Sequence, residues 1–218
     1  MSETGLPLVL IVDDDEAMRR SMAFLFASVG LETQSFASAD ELLPALAPES
    51  CMRPGALVLD VRMPGMSGLE LQRRLASQSF PLPILIVTGH GDVAMAVEAL
   101  KAGAFDFIEK PFKEQNLLDV VTAAIRQSQD NLARNARRRT IQERLARLGR
   151  REREVLDGIL AGKSNKIIAY ELDLSIKTIE AYRASVMTKM EAASLPELAL
   201  MVGSVDGGGT GPHLGQTQ

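Results

Sequence analysis

Short apolar runs alternate with stretches of helical periodicity over the first 125 residues. Leu6 to Val12 is an apolar run that ends in Asp13-Asp14-Asp15-Glu16. Ala17 to Val29 follows with apolar residues at helical spacing (Met18, Met22, Leu25, Phe26, Val29), and Gly30 is placed to cap its C-terminus. Leu31 to Phe36 predicts a weaker second strand. Ser38 and Glu41, spaced as a capping box, open a second helix. Ser50 to Gly55 reads as loop. Ala56 to Leu59 is a continuous apolar run, as expected of a strand buried on both faces of a parallel sheet, and it stops at Asp60 before a Pro-Gly turn. Ser67 to Ser77 predicts a third helix on Leu69, Leu71 and Leu75. Pro81 to Val87 predicts strand four, ending in Thr88-Gly-His-Gly-Asp92. Val93 to Lys101 is helix four, closed by Gly103. Ala104 to Ile108 is strand five, ending in Glu109-Lys110-Pro111-Phe112, and helix five starts near Glu114.

Five strands alternating with five helices predict an α/β doubly wound, five-stranded parallel sheet with helices on both faces. Right-handed crossovers leave few topologies, of which the flavodoxin-like order 2-1-3-4-5 is the expected one. Past residue 125 the pattern becomes all-α. Ile125 to Leu148 is basic and helix-favouring, with only a broken apolar stripe (Leu132, Ile141, Leu145, Leu148). It predicts one extended helix joining two domains, either solvated or pairing in a dimer, and Arg137, Arg138 and Arg139 on it could touch phosphates. A helix beginning at Arg151-Glu-Arg-Glu-Val-Leu156 ends at Ala161-Gly162. Ser164 caps a short helix over Asn165 to Leu172. Asp173-Leu-Ser175 is a tight turn, and Ser175 caps a longer helix to about Glu191 with Ile176, Ile179, Val186 and Met190 as its inward stripe. Ser194 to Val202 makes a fourth helix. Two helices about a tight turn, the second rich in polar residues, form helix-turn-helix architecture. Gly203 to Gln218 is Gly-rich and predicted to lack structure. The expected domains are 1–125, a helical linker 126–142, a four-helix DNA-binding domain 143–203 and a tail 204–218.

Charge sharpens this division. The net charge of −4 is the sum of opposed halves, with 9 Lys and Arg against 17 Asp and Glu in residues 1–125, and 15 against 11 beyond. The basic half suits a nucleic-acid partner. A hydrophobic content of 46% with few aromatics implies an aliphatic core. The one cysteine, Cys51, excludes an internal disulfide and fits a reducing compartment. No apolar run nears the roughly 20 residues of a membrane span, and the polar first five residues do not read as a secretion signal, so a cytoplasmic protein without membrane attachment is expected.

The predicted strand ends carry the candidate chemistry. Adjacent carboxylates at Asp13 and Asp14 repel one another unless a cation is present, and a hard oxygen-seeking ion such as Mg2+ answers that need. Asp15 and Glu16 read instead as helix-start residues. Asp60 is placed to attack a phosphoryl group and form an acyl phosphate. Mg2+ held by Asp13, Asp14 and Asp60 would neutralise developing charge, Lys110 would pair with phosphoryl oxygens, and the Thr88 hydroxyl could donate to the same group.

These residues resemble the receiver domains of response regulators, whose pattern of an acidic pair, Asp-x-x-Met-Pro, Thr-Gly and Lys-Pro-Phe is met in full. The resemblance implies that Asp60 is the phosphoacceptor of a histidine kinase and that the Arg62 backbone carbonyl completes the metal site. It implies that Thr88 and Phe107 form a switch pair and that the Lys110-Pro111 peptide is cis. Haloacid-dehalogenase-type phosphatases also form an aspartyl phosphate, but they need a second Asp where Arg62 stands, so an enzyme in the strict sense is not expected. Residues 143–203 resemble LuxR/FixJ-type DNA-binding domains through Arg151-Glu-Arg-Glu-Val-Leu156, Gly162-Lys-Ser-Asn-Lys-Ile-Ile-Ala169 and Ser175-Ile-Lys-Thr-Ile-Glu-Ala-Tyr-Arg183. Two departures stand out: Gly149 where Thr or Ser is usual, and Tyr182 where His is common. By that resemblance Lys177, Thr178 and Arg183 hold phosphates, Glu180, Ala181 and Ala184 face base edges, and Lys166 and Lys189 join the DNA-contacting set.

The whole chain resembles FixJ-type two-component regulators. The implied function is phosphorylation of Asp60, self-association through the helix four–strand five face, binding of a homodimer to double-stranded promoter DNA, and activation through RNA polymerase. The alternative is a DNA-binding protein that ignores phosphate and uses its receiver as a docking module.

Overall fold

The structure, a computed structural model, describes residues 6–46, 52–89 and 93–206. Contacts divide the chain into two compact units, Met1–Ala133 and Arg134–Gln218. The first is built on strands β1 (Leu8–Val12), β2 (Glu32–Phe36), β3 (Gly55–Leu59), β4 (Ile84–Thr88) and β5 (Asp106–Glu109). All pairings are parallel and the order is β2-β1-β3-β4-β5, as the sequence pattern predicted.

The period of two along each strand sorts the apolar residues into two layers. Leu8, Leu10, Val12, Leu57, Leu59 and Ile86 face one layer, covered by α2 (Ala39–Ala45), α3 (Gly68–Ser77) and α4 (Val93–Lys101). Val9, Ile11, Val58, Leu85 and Val87 face the other, covered by α1 (Glu16–Ser28) and the first turns of α5 (Glu114–Ala146). β1, β3 and β4 are buried along their whole length, which is why they read as unbroken apolar runs. β2 is an edge strand, and its sequence, Glu-Thr-Gln-Ser-Phe, is correspondingly polar.

Element ends shift for identifiable reasons. β4 begins at Ile84 rather than Pro81, because Pro81 and Pro83 have no N–H to give a ladder. β5 begins at Asp106 rather than Ala104, because Gly103 takes a positive φ and the Ala104 N–H still closes α4 on the Ala99 carbonyl. Asp15 caps α1 by accepting from the Ala17 and Met18 N–H groups.

The second unit contains the last turns of α5 with α6 (Arg150–Leu160), α7 (Asn165–Leu172), α8 (Ile176–Met190) and α9 (Leu195–Asp206). The turn between α7 and α8 passes through Asp173 in the left-handed region, and the Ser175 side chain accepts from the Thr178 N–H to start α8. Ile179, Val186 and Met190 are buried as expected, but Ile176 is exposed. It occupies the first helical position, one turn beyond the reach of the small core.

The expected linker 126–142 is divided between the units. Ser128 is buried in the first, where its hydroxyl oxygen accepts from the Gly55 N–H. Ile141 is buried in the second beside Leu148 and Leu198. The expected tail also begins later than residue 203: α9 runs to Asp206, with Val205 packed on the core and its carbonyl accepting from Arg138. Residues 207–218, Cys51 and the His90–Asp92 segment lie outside the described residues. Among the described residues no helix is long and apolar enough to cross a membrane.

Candidate functional site

The sheet brings its carboxyl-terminal strand ends to one edge. Asp13 follows β1, Asp60 follows β3, Thr88 ends β4 and Lys110 follows β5. Backbone bonds lock this edge together: Asp60 N–H donates to the Val12 carbonyl (2.8 Å) and Lys110 N–H to the Thr88 carbonyl (2.8 Å). The Lys110-Pro111 peptide is cis.

Lys110 is the centre of the pocket. Its ammonium donates to Asp13 Oδ2 at 2.6 Å and to Asp60 Oδ1 at 3.0 Å. The remaining oxygens each meet a backbone N–H, Asp13 Oδ1 from Asp15 (2.8 Å) and Asp60 Oδ2 from Arg62 (2.7 Å). Asp13 and Asp60 are buried, while Asp14 and the Arg62 side chain stand exposed.

Burial pushes the Asp60 carboxyl above its ordinary value, and the Asp13 charge adds to that; the bond and charge of Lys110 and the Arg62 N–H oppose them without winning. Burial alone would push Lys110 down, but its bonds to Asp13 and Asp60 outweigh it and hold the ammonium above its ordinary value. Two buried acidic side chains thus share one ammonium, two acids against one base.

That surplus and the all-oxygen donor set fit a hard divalent cation. Each bonded oxygen of Asp13 and Asp60 accepts one of these hydrogen bonds and keeps a second lone pair. No cage is preformed: among the described residues no three His, Cys, Asp or Glu side chains are grouped to hold a metal.

α3 starts against the backbone that carries Asp60. Its cap, Ser67, accepts from the Glu70 N–H, and Gly68 N–H donates to the Val61 carbonyl at 2.9 Å. A Cβ on Gly68 would collide with the Asp60 backbone carbonyl, so glycine is required here by close approach. Gly68 is absent from the residues expected at the site, although a Gly eight residues beyond a strand-end Asp, at a helix start, is a usable signal. Thr88 is fully buried, and Phe107 is half-buried against the α3–α4 layer. Phe107 lies opposite Ile86 in the ladder, so Thr88 and Phe107 share a face one diagonal step apart.

In the second unit the residues expected to contact DNA separate into two stripes of α8. Lys177, Ala181, Ala184 and Thr188 recur at helical spacing on the exposed face, with Glu180 beside them. Arg183 is half-buried at the flank, and Lys166 is exposed on α7. Thr178, Tyr182, Ser185 and Lys189 form the other stripe. Thr178 is engaged in the cap with Ser175. Lys189 donates to Glu152 Oε2 at 2.7 Å, so its charge is already paired within the unit.

Glu152 is absent from the residues expected at either site. It is buried, and its carboxylate also accepts from Ser185 Oγ (2.6 Å) and the Gly149 N–H (2.6 Å). Its pKa is lowered to about 2, first by Lys189, then by Ser185 and the Gly149 N–H. Gly149 supplies no side-chain cap to α6, so the Glu152 bond is the surviving half of a capping box.

Comparison with known proteins covers both units. Residues 9–122 match the response regulator receiver domain, and residues 146–202 match the bacterial regulatory proteins of the luxR family. The chain is 50% identical over 190 residues to the transcriptional regulatory protein FixJ of Bradyrhizobium diazoefficiens, covering 87% of this chain and 91% of that one. Among solved structures it resembles the response regulator StyR (TM-score 0.81, 38% identity, 91% of this chain and 98% of that one). It also resembles full-length FixJ from B. japonicum (TM-score 0.56, 47% identity, 92% and 97%).

Proposed function

The chain belongs to the FixJ-type response regulators, transcriptional regulators that join a receiver to a luxR-family DNA-binding domain, and from that premise we propose how its residues divide the work. Asp60 is the phosphoacceptor. A carboxylate oxygen of Asp60 attacks the phosphorus of a histidine kinase's phosphohistidine; the P–O bond forms, the P–N bond breaks and the imidazole leaves with its electron pair. The observation that carries this is the pair of hydrogen bonds from Lys110 to Asp13 and Asp60, which fixes a positive charge beside the phosphoacceptor, where phosphoryl oxygens would arrive.

Asp13, Asp14, Asp60 and the Arg62 carbonyl would hold Mg2+, which when bound supplies charge neutralisation for the transferred group. Thr88 donates its hydroxyl to the phosphoryl oxygens, and Phe107, on the same face, follows its movement. Val93, Val97 and Leu100 are exposed on α4, and this face pairs two phosphorylated chains. A homodimer places two α8 helices in successive major grooves of promoter DNA, about 34–36 Å apart. Lys166, Lys177, Thr178 and Arg183 hold phosphates, and Glu180, Ala181 and Ala184 face bases. The bound dimer acts on RNA polymerase, in the cytoplasm.

The test is solution mass by light scattering with Mg2+, before and after acetyl phosphate, for the wild type and Asp60→Asn. A doubling in the wild type alone is expected. An equal doubling in Asp60→Asn would remove Asp60 from the mechanism, and a phosphorylated wild type of unchanged mass would remove pairing as the switch.

A further inference from the structure

Glu152 and its partners are not explained by DNA contact or by the phosphoacceptor pocket. Its carboxylate is buried, yet it reaches across from the first turn of α6 to two residues of α8 one turn apart, Ser185 and Lys189. The two bonds grip α8 over its C-terminal half. Arg144 of α5 holds the end of the same helix, donating to the Met190 carbonyl at 3.0 Å and pairing with Glu191. In the N-terminal half of α8, Ile179 packs on Val155 of α6 and Ile168 of α7, while Lys177, Glu180 and Ala181 face outward.

Charge completes the picture. The exposed stripe of α8 carries one cation, Lys177, and one anion, Glu180, beside Ala181, Ala184 and Thr188. It is poor in the positive charge that drives sequence-independent binding. Lys189 lies on the other stripe by helical spacing, and its ammonium there is paired with Glu152. A carboxyl with a pKa of about 2 stays ionised at any physiological pH, so the grip is constant rather than pH-gated.

We infer that Glu152 is a positioning residue for sequence-specific DNA recognition, seating α8 through Ser185 and keeping the Lys189 ammonium away from DNA phosphates. The inference rests on the reading of α8 as the DNA-facing helix. It goes beyond that reading by removing Lys189 from the phosphate contacts and by giving a buried acid control of specificity.

The test uses the full-length phosphorylated chain. A preferred duplex is first selected from random double-stranded DNA by the wild type. Affinity for that duplex and for a scrambled one is then measured over a salt series. A wild type that selects no sequence would remove base reading by α8, and the inference with it. Given a selected duplex, Glu152→Gln should lose about tenfold in the ratio of specific to scrambled binding. Its log-affinity slope on scrambled DNA should steepen by about 0.9, the mark of one added phosphate contact. Adding Lys189→Gln should take that increment away, which a merely structural role of Glu152 would not produce.

Lys189→Gln alone should keep the wild-type slope, and Ser185→Ala should lower the ratio severalfold with scrambled affinity unchanged. These two single variants decide the matter should Glu152→Gln fail to fold. An unchanged ratio and slope in folded Glu152→Gln would overturn the inference. So would a loss of about 0.9 in slope in Lys189→Gln alone, or an unchanged ratio in Ser185→Ala.

Discussion

The two units solve the placement of polar groups in opposite ways. In the receiver, groups far apart in sequence are brought together: Lys110 and Asp13 are 97 residues apart, Lys110 and Asp60 are 50 apart, and all three meet at one sheet edge. In the second unit the outward-facing residues of α8 sit on one continuous helix, and the long-range contacts lie behind it, in Glu152 and Arg144. A pocket that needs opposite charges a hydrogen bond apart needs a sheet to assemble it. A surface that reads DNA needs only a helix of the right periodicity, provided something fixes its seat. The first arrangement is sensitive at the site itself and the second at its supports.

The largest expected break in that contrast is Lys110→Ala. It leaves two buried carboxylates without their cation and should destabilise the receiver by about 3 kcal/mol. Thermal melts with and without Mg2+ check it. The stabilisation given by Mg2+ should be larger in the variant than in the wild type, because the ion then replaces the lost ammonium. No destabilisation in metal-free buffer would show that Asp13 and Asp60 do not depend on Lys110.

Gly68→Ala comes next. The added methyl meets backbone at the Asp60 carbonyl, which cannot move aside as a side chain would, so overpacking of about 2 kcal/mol is expected. Acetyl-phosphate labelling of Asp60 should slow severalfold as the loop shifts, and unchanged labelling in a folded variant would show that α3 does not position Asp60.

The smallest effect is the response to acid, and it has opposite signs in the two units. Glu152 is depressed from 4.5 to about 2, so its contribution is complete above 4.5 and is lost as pH falls from there towards about 2. With Lys189 partly open to solvent, this amounts to about 1–2 kcal/mol in the second unit. Asp60 is raised above 3.8, so its ionisation in the fold is unfavourable, and protonation relieves the receiver as pH falls through its folded value. Unfolding of the second unit followed between pH 5 and pH 2 should lose this slope in Glu152→Gln. An identical slope in the variant would assign the acid sensitivity elsewhere.

Legibility in the sequence followed the same division. Asp13, Asp60, Thr88 and Lys110 could be found because each ends a short apolar run, and parallel strands leave their carboxyl ends on one edge whatever their loops do. Their bonding was not readable. Nothing in the local sequence says that Lys110 takes both carboxylates, or that α3 presses so close to Asp60 that residue 68 has no room for a side chain. On α8 the period of the apolar residues gave Ile179, Val186 and Met190 but also claimed Ile176, because periodicity does not show where a small core ends. Lys189 joins the DNA-contacting set by resemblance, and its bond to Glu152, 37 residues earlier in another helix, is not readable from the local sequence.

Sequence by itself determined the elements, the strand order and the identity of the charged strand ends, because apolar periodicity and the handedness of crossovers are local or topological constraints. It determined the helix starts at Asp15, Ser67, Ser164 and Ser175, because a cap is satisfied within three residues. Only the tertiary structure decided which charges neutralise one another, that Lys189 is paired with Glu152 and that α9 continues past Gly203. Those outcomes depend on distances of a few ångströms between elements remote in sequence, and burial makes each such distance count.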